Sequence, residues 1–93
     1  MNQAIIFSDN EKYNNLLQQV EFQAQSQGTL ITCVISFNKL CQLTAQKIDN
    51  IAKNETTILE LFELVRFDIE ELAETLIKQQ DFHPDGKVYL QNI

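Results

Sequence analysis

The chain has 93 residues, 44% hydrophobic and 22% charged, and carries a formal net charge of −6 at pH 7. That length supports one domain, expected to span 1–93, with a single core, and the apolar share excludes wholesale disorder. One Pro and two Gly leave no flexible linker, and the acidic balance argues against nucleic acid and membrane surfaces as direct partners, since both are anionic.

The first residues, Met1-Asn-Gln-Ala-Ile-Ile-Phe7, lack the basic start and long apolar stretch of a signal peptide. No segment approaches the ~20 apolar residues of a membrane span, so a cytoplasmic location is expected. Ala4–Phe7 is short, apolar and rich in β-branched residues, which predicts a first strand. Ser8 with Glu11 offers a capping box, and Tyr13, Leu16 and Leu17 then fall at the spacing of a short helix.

Gln19 to Gln25 alternates strictly, with Val20, Phe22 and Ala24 on one face and Gln19, Glu21, Gln23 and Gln25 on the other. That is a strand with one wet face. Gly28 suits the positive φ of a short hairpin loop, and Leu30–Ile35 follows as a strand apolar on both faces. Such a strand is either covered on both sides or central in its sheet. Ser36 caps a helix predicted from Phe37 to about Lys53, with Phe37, Leu40, Cys41, Ala45, Ile48, Ile51 and Ala52 on one broad face.

The most strongly patterned stretch is Thr57–Lys78. Ile58, Phe62, Val65, Ile69, Leu72 and Leu76 recur at spacings of four and three, and Leu61 and Ala73 widen the stripe. Thr57 with Glu60 reads as the capping box of a long amphipathic helix. Phe67 conflicts with this pattern, because on a straight helix it points away from the stripe into the acidic face. Either Asp68 caps a new helix and Phe67 staples onto Leu72, or the helix is unbroken and Phe67 covers a neighbour near Phe82 or in another subunit. The unbroken helix is the expectation. Asp81–Gly86 then has turn chemistry around Pro84 and Gly86, and Lys87–Gln91 alternates as a last strand. Phe22, Val34, Phe62, Ile69 and Leu72 are expected in the core.

These elements predict an α+β fold of two layers: a mainly antiparallel sheet of about four strands with a C-terminal helical pair on one face. Catalytic motifs are missing: there is no Gly-rich phosphate loop, no GxSxG and no HExxH. A single His83, placed in a turn, gives no two-His metal site. Cys33 and Cys41 form no CxxC and read as buried small hydrophobes. No catalytic residue, metal or cofactor is therefore expected.

Residues 55–74 hold Glu55, Glu60, Glu63, Asp68, Glu70, Glu71 and Glu74 against Arg66 alone. Arg66 can pair with Glu63 and Glu70 along the helix, or orient a carbonyl or an anion. The acidic face is either a solvated surface or a docking surface for a basic partner, with Arg66, Phe67, Glu63, Glu70 and Glu74 as its candidate residues. The leading expectation is a small interaction or regulatory protein binding a basic protein surface, with homo-oligomerisation as one form of it. The alternatives are a small-ligand module or enzyme with a site near Arg66, and an acidic decoy occupying a nucleic-acid-binding protein.

Three segments resemble the YrdB-like small bacterial proteins, a family of unknown function: Met1-Asn-Gln-Ala-Ile-x-Phe7, Ile31-Thr-Cys-x-Ile-Ser36 and Phe62-x-x-x-Arg66-x-Asp-Ile-Glu-Glu-x-Ala-Glu-x-Leu-Ile77. The resemblance implies a compact α+β domain in a bacterial cytoplasm and brings no activity with it. This chain departs from that pattern at Phe67 and Tyr89, where the resemblance leads one to expect Trp.

Overall fold

The computed structural model describes residues 5–45 and 54–92. Its elements are β1 (Ile6–Phe7), β2 (Lys12–Asn14), β3 (Gln19–Ser26), β4 (Thr29–Ser36), α1 (Phe37–Thr44), α2 (Glu55–Leu64), α3 (Arg66–Lys78) and β5 (Val88–Tyr89), followed by a 3₁₀ turn over Leu90–Asn92. The fold is α+β, as the alternation of patterns predicts.

The β3–β4 hairpin is its frame. Gln27 and Gly28 both take positive φ, 53° and 81°, which gives the two-residue turn the twist that adjoining strands require. The register pairs Val20 with Ile35, Phe22 with Cys33 and Ala24 with Ile31, so one face of the hairpin is continuously apolar. β4 lies centrally, between β3 and β5, which explains its apolar character on both sides. Val34 points to the opposite face from Cys33 and is still fully buried.

β1 and β2 share the other edge of β3. β1 pairs with Ala24 and Gln25, β2 with Gln19 to Glu21, both antiparallel. The sheet thus has five strands filling four positions, and one edge is interrupted over Ser8–Glu11. β5 joins β4 in parallel, the one departure from an antiparallel sheet. The short helix expected around Tyr13 does not form. Tyr13 is in β2, Asn14 Oδ1 accepts from the Leu17 amide at 3.0 Å, and Gln18 takes φ 51° to enter β3. Strand pairing with β3 satisfies backbone groups that a single helical turn would leave open.

All three described helices pack on the Val20–Phe22–Ala24 face. One cluster joins these residues to Phe37, Leu40, Ile58, Phe62, Ile69, Ala73 and Leu76. Phe22 is central, edge-on to Phe62 at 5.3 Å and 6.2 Å from Phe7. Ser36 caps α1 as expected, accepting from the Lys39 amide at 3.1 Å. α1 stops at Thr44, short of the expected end, because Ala45 turns left-handed at φ 59°. Ile48, Ile51 and Ala52 of the expected face lie outside the described residues.

The long helix is two. α2 begins earlier than predicted, and its cap is Asn54, which accepts from the Thr57 amide at 2.8 Å. Thr57 is therefore the recipient of a cap and not its donor. The axis breaks at Val65 (φ −120°, ψ 24°), before Phe67 and not at Asp68. The break has a physical reason: a straight 57–78 helix would run ~33 Å over strands of ~26 Å. It also shifts the buried face of α3 to Ile69, Ala73, Leu76 and Ile77, leaving Leu72 half-buried. Phe22, Val34, Phe62 and Ile69 are all buried as expected. Phe62→Ala should lower the unfolding free energy by about 3–5 kcal/mol, and Leu72→Ala by markedly less. Urea midpoints of the two variants check that order.

Candidate functional site

The interrupted edge strand and the broken helix meet. Ser8 holds the start of the interruption by donating its amide to the Gln23 carbonyl at 3.1 Å. The chain then swings out through Asp9 and Asn10, and returns at Glu11 with its side chain only 14% exposed. Opposite stands Arg66, the first residue of α3, whose side chain is 15% exposed.

Arg66 is held on several sides. Its Nε donates to Glu63 at 2.9 Å and one terminal nitrogen reaches the other Glu63 oxygen at 2.7 Å. The same nitrogen bonds Glu11, while the second terminal nitrogen faces Asp9 at 3.5 Å and Glu70 at 3.6 Å. The guanidinium carbon lies 5.1 Å from the Phe62 ring centroid, within cation–π range. Hydrogen bonds that Arg66 donates to Glu63 and then Glu11 raise its pKa above the ordinary value, and Arg66 in turn lowers that of Glu63. Four carboxylates converge on one cation, so the node keeps a negative charge. The second Glu11 oxygen is shielded and has no partner among the described residues.

The predicted candidates thus separate. Arg66, Glu63 and Glu70 come together as predicted, joined by Asp9 and Glu11. Glu74 stands apart in a pair with Lys78 at 2.8 Å. Phe67 faces outward and is 85% exposed, covering neither Phe82 nor Leu72. Glu11 was legible only as a local cap, because nothing in its own neighbourhood signals a partner 55 positions away. Leu64 was also missed. It is 73% exposed, three positions before Phe67, and its place off the stripe was the available signal.

Beside Leu64 runs a shallow groove of about 540 Å³ lined by Thr57, Glu60, Leu61, Glu63 and Leu64. Glu55, Glu60, Asp68 and Glu71 are exposed along α2 and α3. Cys33 and Cys41 are buried thiols, neither in a disulfide, and burial pushes the Cys33 thiol up to about 12. His83 closes a turn with Asp85, whose carboxylate accepts from the Tyr89 hydroxyl at 2.7 Å and the Lys87 amide at 2.8 Å. Among the described residues no three His, Cys, Asp or Glu are arranged to hold a metal, and no helix is long and apolar enough to cross a membrane.

Residues 5–90 match the family described as protein of unknown function, DUF1488. The chain belongs to the DUF1488 family. It is 36% identical over 90 residues to the uncharacterized protein YrdB of Escherichia coli K12, covering 97% of this chain and 99% of that one. It is 34% identical to the protein of the same description in Shigella flexneri, with the same coverage. A crystal structure of a DUF1488 protein of unknown function from Shewanella loihica superposes with a TM-score of 0.82 at 42% identity, covering 96% of this chain and 93% of that chain. The likeness to the YrdB-like proteins is therefore that of a family member, over nearly the whole fold.

Two stability tests follow for this DUF1488 chain. Arg66→Ala removes a shielded, multiply bonded cation and should cost about 1–3 kcal/mol, whereas Lys78→Ala should cost no more than about 0.5 kcal/mol. Chemical denaturation of both variants measures the contrast. The second concerns pH. Glu21 has its pKa lowered from 4.5, chiefly by a hydrogen bond from Gln19 at 2.8 Å, which with Asn14 and Lys87 outweighs burial. Its contribution is full above its unfolded value and is lost as pH falls through the depressed folded one. Stability should thus decline as pH falls from 4.5 through the depressed folded value, and Glu21→Gln should flatten that decline.

Proposed function

We propose that the protein is a non-catalytic interaction module that docks a basic protein surface on the outer face of α2 and α3. The observation that carries this is the direction of Arg66. The one cation within residues 55–74 is turned inward to serve Glu11, Glu63 and Glu70, leaving the outer face negative. Leu64 and Phe67 stand exposed in that face. Burying one such side chain stabilises a complex by roughly 1.5–3 kcal/mol, and the surrounding carboxylates would select partners bearing Lys and Arg. A role in regulation through such a partner, including occupying a nucleic-acid-binding protein, is a special case of this reading.

The alternative of a small-ligand site or enzyme at Arg66 is the weaker one, because the Arg66 donors already have carboxylate partners. A cytoplasmic setting fits two buried thiols that form no disulfide. The test is a photo-crosslinking residue placed at Phe67 and, separately, at exposed Gln25 on the helix-free sheet face, each in native lysate. Adducts formed at position 67, absent at 25 and lost at high salt are expected. Equal labelling at both positions, or none at 67, would defeat the proposal.

A further inference from the structure

We infer that the groove on α2 receives a single amphipathic helix of a basic partner chain, an inference that rests on the docking face proposed above. The residues lining the groove fall in two rows of helical spacing. Thr57, Glu60 and Glu63 form one i, i+3 row, and Leu61 and Leu64 the next, while exposed Phe67 stands just past the break at Val65. A furrow between two such rows is what a second helix fills in ridge-into-groove packing, its i, i+4 ridge lying in the furrow at roughly 20° to α2.

Backbone chemistry favours the same occupant. The flank of a helix offers no free amide or carbonyl, since its own ladder uses them. An extended peptide lying against Leu61, Leu64 and Phe67 would bury backbone groups without partners. A helix arrives with its groups already bonded.

The two rows also differ chemically, which fixes how the helix lies. Its apolar stripe meets Leu64 and Phe67, and its Lys or Arg side chains meet Glu60 on one side. Asp68 and Glu71 near Phe67 add acid at the far end. A second copy of this chain is a poor occupant, because a two-fold contact through this face would set its acidic rows against each other. The partner is therefore a different, cationic chain.

The test uses two synthetic peptides of identical Leu and Lys composition, about five helical turns long. One sets its Leu residues in a single helical stripe and the other scatters them around the helix. The striped peptide is expected to bind the whole protein at least about tenfold more tightly, with affinity falling as salt rises. Leu64→Ser with Phe67→Ser should erase that preference, while Glu60→Gln should weaken both peptides alike. Both changes are at exposed positions, and an unchanged thermal melt verifies that the variants fold. Equal binding of both peptides would overturn the helix inference and leave the docking face standing. Binding of neither would overturn both. Self-association in sedimentation that Phe67→Ser abolishes would replace the partner helix with a second copy.

Discussion

Arg66 joins three pieces of chain that are far apart in sequence or direction: the interruption of the edge strand, the end of α2 and the start of α3. A cation at the first position of a helix is unfavourable to the helix dipole, so its placement there needs compensation. Glu63 supplies it from the preceding helix, Glu70 from one turn on, and Glu11 from the sheet edge. The Phe62 ring beneath the guanidinium links this polar node to the aromatic core through Phe22. Stability comes chiefly from that core, where each large side chain contributes roughly 1.5–3 kcal/mol. Arg66 ties the start of α3 to the end of α2 and to the sheet edge.

That division of labour determines the surface. Once Arg66 is drawn inward, the outer flank of α2 and α3 carries more acid than base among the described residues, with Lys78 paired to Glu74 at its end. The break at Val65 keeps both helices on a sheet of limited length and turns Ile69, Ala73 and Ile77 to the core. Leu64 and Phe67, on either side of the break, are left outside. Their exposure is thus tied to the same geometry that satisfies the core. The helix-free sheet face is different in kind, covered by short polar contacts such as those of Asn14 and Gln19 with Glu21.

The DUF1488 relatives share this frame across nearly the whole chain, at 34–42% identity. Likeness at that level carries the fold, and the chemistry of a site has to be argued from the side chains themselves. Here those side chains build a charged, partly apolar exterior and a committed Arg66.

The sequence by itself determined the hairpin, its register and the apolar face of α2, because these follow from periods of two and near four in adjoining residues. It likewise determined the Ser36 cap, the turn at Gly28 and the pairing of Arg66 with Glu63 and Glu70, all local interactions. The tertiary structure alone decided that Tyr13 joins a strand and that the helix parts at Val65. The Asn54 cap that starts α2 is local, whereas in both of those cases contacts distant in sequence supplied the deciding hydrogen bonds or limited the length available. Glu11 is the clearest instance: its partner lies 55 residues away. Local pattern tells a residue which face it occupies, whereas only the folded chain settles what that face meets.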